Sequence, residues 1–208
     1  MVQTTLQTVL KKASLQTTIA TLQSKRFSLR PINVTDREFY IALHQNPITC
    51  QYVEGPLTRE HANKDFEFSL RLNKIGSMLT FMIMAKANVA NHANNTSNVD
   101  DTVAHYQQQT PLGFCALLWN KYRSSIEMGI YLDSDYFGQG IAKETLNTLL
   151  DYAFNVVNID TIMVRTHFNN IAMIKTINSL DHTITRTRNR LQWHITAKQV
   201  PGTRNSSS

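Results

Sequence analysis

The chain has 208 residues, 42% of them hydrophobic, five prolines and a formal net charge of +6. That balance suits a single soluble core and leaves little for a second domain. No run of about eighteen apolar residues is present, which argues against a transmembrane helix. The two cysteines, Cys50 and Cys115, have neither metal-ligand nor disulfide-framework spacing, which suits a reducing, cytoplasmic setting; Cys115, in the apolar run Leu112 to Trp119, reads as a small buried hydrophobe, and neither has a basis for catalysis.

The first acidic residue is Asp36, and the segment before it carries Lys11, Lys12, Lys25, Arg26 and Arg30. A transit peptide has this composition. Leu6, Val9, Leu10 and Ala13 also form one weak helical stripe, so residues 1–24 are expected to be a helical extension. Periodicity then gives a strand over 26–32, helices over 35–45 and 58–73, and strands over 77–86, 112–120 and 125–132. Residues 87–110, crowded with asparagine, are expected to be a surface loop. A helix over 140–157, a strand over 160–167, a helix over 170–179 and a hairpin over 182–199 complete a domain spanning 25–200, with 201–208 a frayed tail. Strands alternating with helices and ending in a hairpin predict a mixed α/β sheet.

The segment Ile126 to Ala142 carries the most chemistry. Ile126, Met128, Ile130 and Leu132 share one strand face, and Glu127, Gly129 and Tyr131 share the other. Gly138 and Gly140 follow, and then a helix whose Leu146, Leu149, Leu150, Ala153, Phe154 and Val157 form one continuous stripe. A glycine turn opening a helix lets several N–H groups converge on an anion, with the helix dipole favouring the charge. No Lys-Ser/Thr follows the second glycine, so this is not a P-loop, and the spacing is not that of a dinucleotide fingerprint.

Gly138-Gln-Gly-Ile-Ala142 resembles the acyl-CoA pyrophosphate loop of the GCN5-related N-acetyltransferases (GNAT), with Phe137 in the Gln/Arg place of the pattern, Gly140 as its central glycine and Ala142 as its final small residue. The likeness is nearest to the RimJ/RimL-like ribosomal-protein N-terminal acetyltransferases, in three ordered blocks. Arg26-Phe-Ser-Leu-Arg-Pro31 with Asp36 is similar to their opening strand. Glu127-x-Gly-x-Tyr-Leu132 and Tyr136-x-Gly-x-Gly-x-Ala-x-Glu144 are similar to their central strand and loop, and Asn170-Ile-Ala172 to their last helix start.

The resemblance implies a mostly antiparallel mixed sheet with flanking helices and splayed central strands. It implies acetyl-CoA as co-substrate, no metal, and a primary amine as acceptor, with a protein N-terminal α-amine first, a small-molecule amine second and a non-catalytic acyl-CoA-binding module as the alternative from another class. The CoA contacts it implies are Ile130, Leu132, Phe137, Gly138, Gln139, Gly140, Ile141, Ala142 and Asn170. A twofold homodimer is the default for such enzymes.

Acetyl transfer needs an uncharged nitrogen, a stabilised oxyanion and a proton for the thiolate. Glu127 leads as general base, with a solvent-facing or salt-bridged strand residue as its plain alternative. His167, at the expected strand end, is the second candidate base. Where the family commonly places a serine to serve the CoA sulfur, this chain has Met173, so either Tyr131, His167 or water is the proton donor or the chemistry is weakened. Asn170 reads both as a CoA contact and as a helix N-cap. Asp181-His182 stand in place of the usual Gly-Phe, and Asp181 is expected to hold a left-handed cap there. Tyr52, Trp119, Tyr122 and Trp193 are groove-or-core aromatics without assigned roles. The late cluster Arg186, Arg188, Arg190, Lys198 and Arg204 reads as recruitment of anionic CoA and of an acidic or nucleic-acid-bound partner, or as a solvated hairpin face. No helix-turn-helix, zinc finger or RNA-binding fingerprint supports sequence-specific nucleic-acid readout. Polyamine acceptors are disfavoured, since they call for an acidic groove.

Overall fold

In a computed structural model, the structure describes residues 19–86, 110–119, 126–187 and 192–197. Eight strands form one sheet in the order β1-β2-β3-β4-β5-β6-β8-β7. These are β1 Leu22–Gln23, β2 Phe27–Pro31, β3 Met78–Ala85, β4 Pro111–Trp119, β5 Ile126–Leu132, β6 Thr161–Arg165, β7 Thr183–Arg186 and β8 Gln192–Thr196. All neighbours pair antiparallel except β5 and β6, which are parallel. The helices are α1 Arg37–Gln45, α2 Arg59–Lys74, α3 Ile141–Asn155 and α4 Ile171–Asn178.

Every residue of β3 is buried, which explains a run that is apolar but for Thr80: both faces of this strand are covered. One side of the sheet packs on α3 and α4 through Leu146, Leu149, Leu150, Phe154 and Ile177. The other packs on α1 and α2 through Tyr40, Leu43, Phe66, Met82, Met84 and Phe114. Alternation along β5 therefore delivers Met128 to the α3 side and Tyr131 to the α1/α2 side.

Polar side chains set the helix starts. Asn33 accepts the Thr35 N–H at 2.8 Å and Asp36 accepts the Asn33 N–H at 2.8 Å, a capping box on the short turn that leads into α1. Arg30 grips Asp36 with both guanidinium nitrogens, at 2.8 and 2.6 Å, tying β2 to that turn. Thr58 caps α2 by accepting the His61 N–H at 3.3 Å.

Three expectations need correction. Leu22 and Gln23 lie within the segment expected to be helical, yet they are extended and pair with Leu29 and Ser28; the rest of that reading, residues 1–18, lies outside the described residues, as do residues 87–109 and the tail. The strand expected to reach 167 ends at Arg165, because the Asn170 N–H bonds to His167 O at 3.0 Å and turns the chain into α4. Asp181 holds no left-handed cap. The α4 end closes instead through Ser179 N–H to Thr176 O at 3.0 Å, and Asn158 is the only non-glycine residue with positive φ among those described.

Candidate active site

The parallel pairing of β5 and β6 runs from Ile126/Ile162 only to Met128/Val164, while β5 continues to Leu132. The two strands therefore part at their C-terminal ends. Asp133 N–H bonds to Leu112 O at 2.9 Å, which fixes the phase of the ladder: Tyr131 and Gly129 present their backbone groups to β4, and Ile130 and Leu132 present theirs to the opened side. Two strand N–H donors thus face a fork between strands.

Glu127 and Arg165 stand at the root of that fork. Arg165 Nε donates to Glu127 Oε1 at 2.9 Å, and its second nitrogen binds Oε2. The fork-on-fork pair clamps β5 to β6 just where pairing stops, and it holds the Arg165 guanidinium above its ordinary pKa. Both oxygens of the expected base are therefore occupied by a cation.

Beyond β5, Gly138 and Gly140 have φ of 75° and 74°, left-handed values that glycine adopts without a Cβ clash. Two such residues around Gln139 turn successive N–H groups toward one concavity at the start of α3. A Cβ placed on Gly138 would meet nothing within 4 Å, so the loop is open on that side. Arg26 braces it from β2's edge: its Nη1 donates to Gln139 O at 3.0 Å, its Nε to Glu144 Oε2 at 2.8 Å, and its backbone N–H to Glu144 Oε1 at 2.8 Å. Burial pushes the Glu144 carboxyl up, but the Arg26 hydrogen bonds outweigh it and hold it below the ordinary value. Phe137 is exposed, and Ile141 is buried beneath the loop. The loop with its brace suits an anion of the pyrophosphate kind, and the fork suits a carbonyl oxygen.

His167 is exposed, beyond the end of β6, and its Nδ1 accepts the Asn169 N–H at 3.2 Å. In the neutral ring this places the proton on Nε2, which makes His167 a donor rather than an acceptor at its free nitrogen. Its ring stacks on Tyr52, from the loop after α1, with centroids 6.3 Å apart. Asn170 caps α4 by accepting the Met173 N–H at 3.0 Å. Trp193 is fully buried and belongs to the core, and Tyr122 lies outside the described residues. His182 packs its ring edge-on against Phe154 at 5.2 Å, taking the place of an aromatic anchor. Both cysteines are unpaired and buried, and burial pushes both thiols up.

Tyr131 belongs to an aromatic cluster that sequence reading did not foresee. Its ring lies 4.9 Å from Phe114 and 4.9 Å from His44, and Tyr40 stacks on both, at 4.6 and 4.4 Å. The Tyr131 hydroxyl is pushed up to about 12, first by burial and then by the charges of Cys50, Asp65 and Glu54, so it keeps its proton at neutral pH. The signal available in the sequence was the i, i+4 spacing of Tyr40 and His44 on α1, which alone says only that they share a helix face.

Residues 26–182 match the acetyltransferase (GNAT) domain family. The chain belongs to the GNAT acetyltransferases. Among solved GNAT folds, an acetyltransferase from Agrobacterium tumefaciens str. C58 is 18% identical, with a TM-score of 0.65 over 87% of this chain and 95% of that one. RimL, a ribosomal L7/L12 alpha-N-protein acetyltransferase solved with coenzyme A, is 15% identical, with a TM-score of 0.62 over 86% of this chain and 97% of that one. A spermidine N-acetyltransferase from Vibrio cholerae, solved with CoA and spermine, is 18% identical, with a TM-score of 0.57 over 82% and 92%. No curated protein sequence matches. The GNAT family uses acetyl-CoA. Among the described residues no cluster of His, Cys, Asp or Glu is arranged to hold a metal, and no helix is long and apolar enough to cross a membrane.

Proposed function

We propose that this GNAT protein moves the acetyl group of acetyl-CoA to a primary amine, with a protein N-terminal α-amine as the acceptor. The observation that carries the transfer chemistry is the fork at Met128/Val164, with the Ile130 and Leu132 N–H groups aimed into it beside a glycine cradle. The acceptor class rests on the RimJ/RimL-like sequence blocks and on the fold shared with RimL, and the buried free cysteines suit a cytoplasmic setting.

Acetyl-CoA supplies an activated thioester. Gly138 to Ala142 hold its pyrophosphate by backbone N–H groups and the α3 dipole, so the loss of a polar side chain at Phe137 is tolerated. The Ile130 and Leu132 N–H groups bind the thioester oxygen as it gains charge, a preorganised arrangement that costs no reorganisation. The amine nitrogen bonds to the acyl carbon, the C–S bond breaks, and the thiolate takes the Tyr131 proton. The proton shed by the new amide nitrogen then restores Tyr131. Met173, which has no proton to give, is not needed in this scheme.

For Glu127 the clamp supports a holding role rather than a chemical one. Glu127→Gln is expected to keep turnover within about tenfold of wild type, whereas losing a general base costs roughly 10²–10⁴. A loss on the larger scale with CoA affinity intact would make Glu127 the base. The reading as a whole is tested by free-thiol release from acetyl-CoA, using peptides with free N-terminal Ala, Ser or Met and a set of small amines, alongside CoA binding by calorimetry. Turnover on small amines alone would move the acceptor class. CoA binding without turnover on any acceptor would favour a binding module, and absence of CoA binding would sink the proposal.

A further inference from the structure

His44 is buried on α1, yet it is a titratable ring placed among polar partners rather than in a purely apolar setting. Its Nδ1 lies 2.9 Å from Tyr40 O. A carbonyl can only accept, so Nδ1 carries the proton and Nε2 presents its lone pair. That lone pair faces Asp65 Oδ2 of α2 at 3.5 Å. Asp65 is itself oriented by the Tyr40 hydroxyl, which donates to Oδ2 at 2.8 Å and sits 3.1 Å from Ser69 Oγ. Two acceptors thus converge, and the chemistry that satisfies both is a group with two or more N–H donors and a positive charge. A primary ammonium is the smallest such group.

The position is as telling as the chemistry. The imidazole stacks on Tyr131, one ring away from the strand segment whose Ile130 and Leu132 N–H groups face the fork. Tyr40 and Tyr131 stack on the imidazole and fix its plane, and Asp65 is the half-exposed member of the pair. Glu127, by contrast, lies four residues back along β5, about 13 Å from Tyr131 at the usual strand rise.

We propose that His44 Nε2 and Asp65 Oδ2 seat the ammonium of the acceptor, and that His44 takes its proton to release the amine for attack. The proposal rests on the acetyl-transfer reading above for its purpose, though not for its ligand. The proton leaves the ammonium nitrogen for Nε2, the amine keeps the lone pair, and the imidazolium returns the proton to solvent after transfer. The groups facing His44 are Tyr40 from its own helix, Asp65 from α2, and Phe114 and Tyr131 from the sheet. Burial favours the neutral ring and outweighs the opposing pull of Tyr40 O and Asp65, so the base is ready at neutral pH. In acid the ring charges, pairs with Asp65 and occupies its own seat. Activity is therefore lost as pH falls below the ordinary histidine value of about 6.5.

The test has two arms. In the first, ring ¹⁵N signals of His44 are followed while ethylamine hydrochloride is added to the full chain. They are expected to shift in wild type and to stay in place in Asp65→Asn, a half-exposed position where the fold is retained. In the second, kcat/KM for acetyl transfer is measured against pH on the best acceptor found. His44→Gln is expected to lose about 10²-fold or more in kcat and to lose the acid limb, while keeping the wild-type CoA affinity. Asp65→Asn is expected chiefly to raise KM for the amine. An unmoved His44 signal in wild type, or a His44→Gln enzyme with wild-type kcat and acid limb, overturns the proposal. Failure of wild type to bind CoA would count against acetyl transfer alone, with the amine titration still deciding the seat.

Discussion

Gly113→Ala is expected to destabilise the protein by roughly 3 kcal/mol and to abolish turnover, the upper end of what one added methyl does in a packed interior. A Cβ at Gly113 would fall 2.1 Å from Tyr131 O and 2.9 Å from Leu132 Cα. Both contacts are with backbone, so no side chain can swing aside to relieve them. The strain is released only by prising β4 from β5 at Gly113/Leu132. That is the stretch of β5 that aims two N–H groups into the fork and carries Tyr131, so stability and activity fall together. Gly129→Ala is the matched comparison. It lies on the facing strand β5, has negative φ, and a Cβ there meets nothing within 4 Å. Urea denaturation of the two variants decides the matter: a similar small loss in both would mean that the β4–β5 approach is not the constraint described.

Much of the architecture was legible because its signals are local. The stripe from Leu146 to Phe154 repeats at helical spacing within one segment, and each of its residues is buried in the structure. The two glycines of the cradle sit where left-handed φ is needed, and that need is written in the residue type itself. Strand and helix ends moved by one or two residues, as at Arg165, because a single loop hydrogen bond outweighs the propensity of the next residue.

What was not legible depends on partners distant in the chain. Glu127 looks the same in sequence whether it is free or clamped, and the deciding residue, Arg165, lies 38 positions away. Arg26 and Glu144 stand out in the sequence blocks, yet their mutual grip spans 118 positions. His44 reads as one more polar residue on a helix until the sheet brings Tyr131 and Phe114 beneath it. The interleaving of β8 between β6 and β7 is likewise invisible to period-two alternation, which fixes faces and not neighbours.

Gly140→Val should weaken CoA binding far more than it weakens the fold. Gly140 caps α3 at φ 74° and ψ 6° without a side-chain hydrogen bond, so the helix start relies on the backbone alone. An L-residue in this conformation costs about 1–2 kcal/mol, and a β-branched one is less tolerant still. The added Cβ lies 3.5 Å from Arg26 Nη2, an ordinary contact, but the branches of valine press further toward the guanidinium that fixes Gln139 O and Glu144. The cheapest relief is rotation of the 139–140 peptide, which turns its N–H away from the concavity and loosens the brace in one movement. Unfolding releases only the strain, whereas binding also loses an aligned donor and part of the dipole site. A tenfold drop in CoA affinity corresponds to about 1.4 kcal/mol, and the combined loss is expected to exceed it. Gly138→Ala separates the two contributions, since its φ of 75° imposes the same conformational cost while its Cβ meets no neighbour. Calorimetry with CoA, run beside thermal unfolding, reads both quantities. Wild-type CoA affinity in Gly140→Val would mean that the anion binds elsewhere, and the cradle would then be a turn and nothing more.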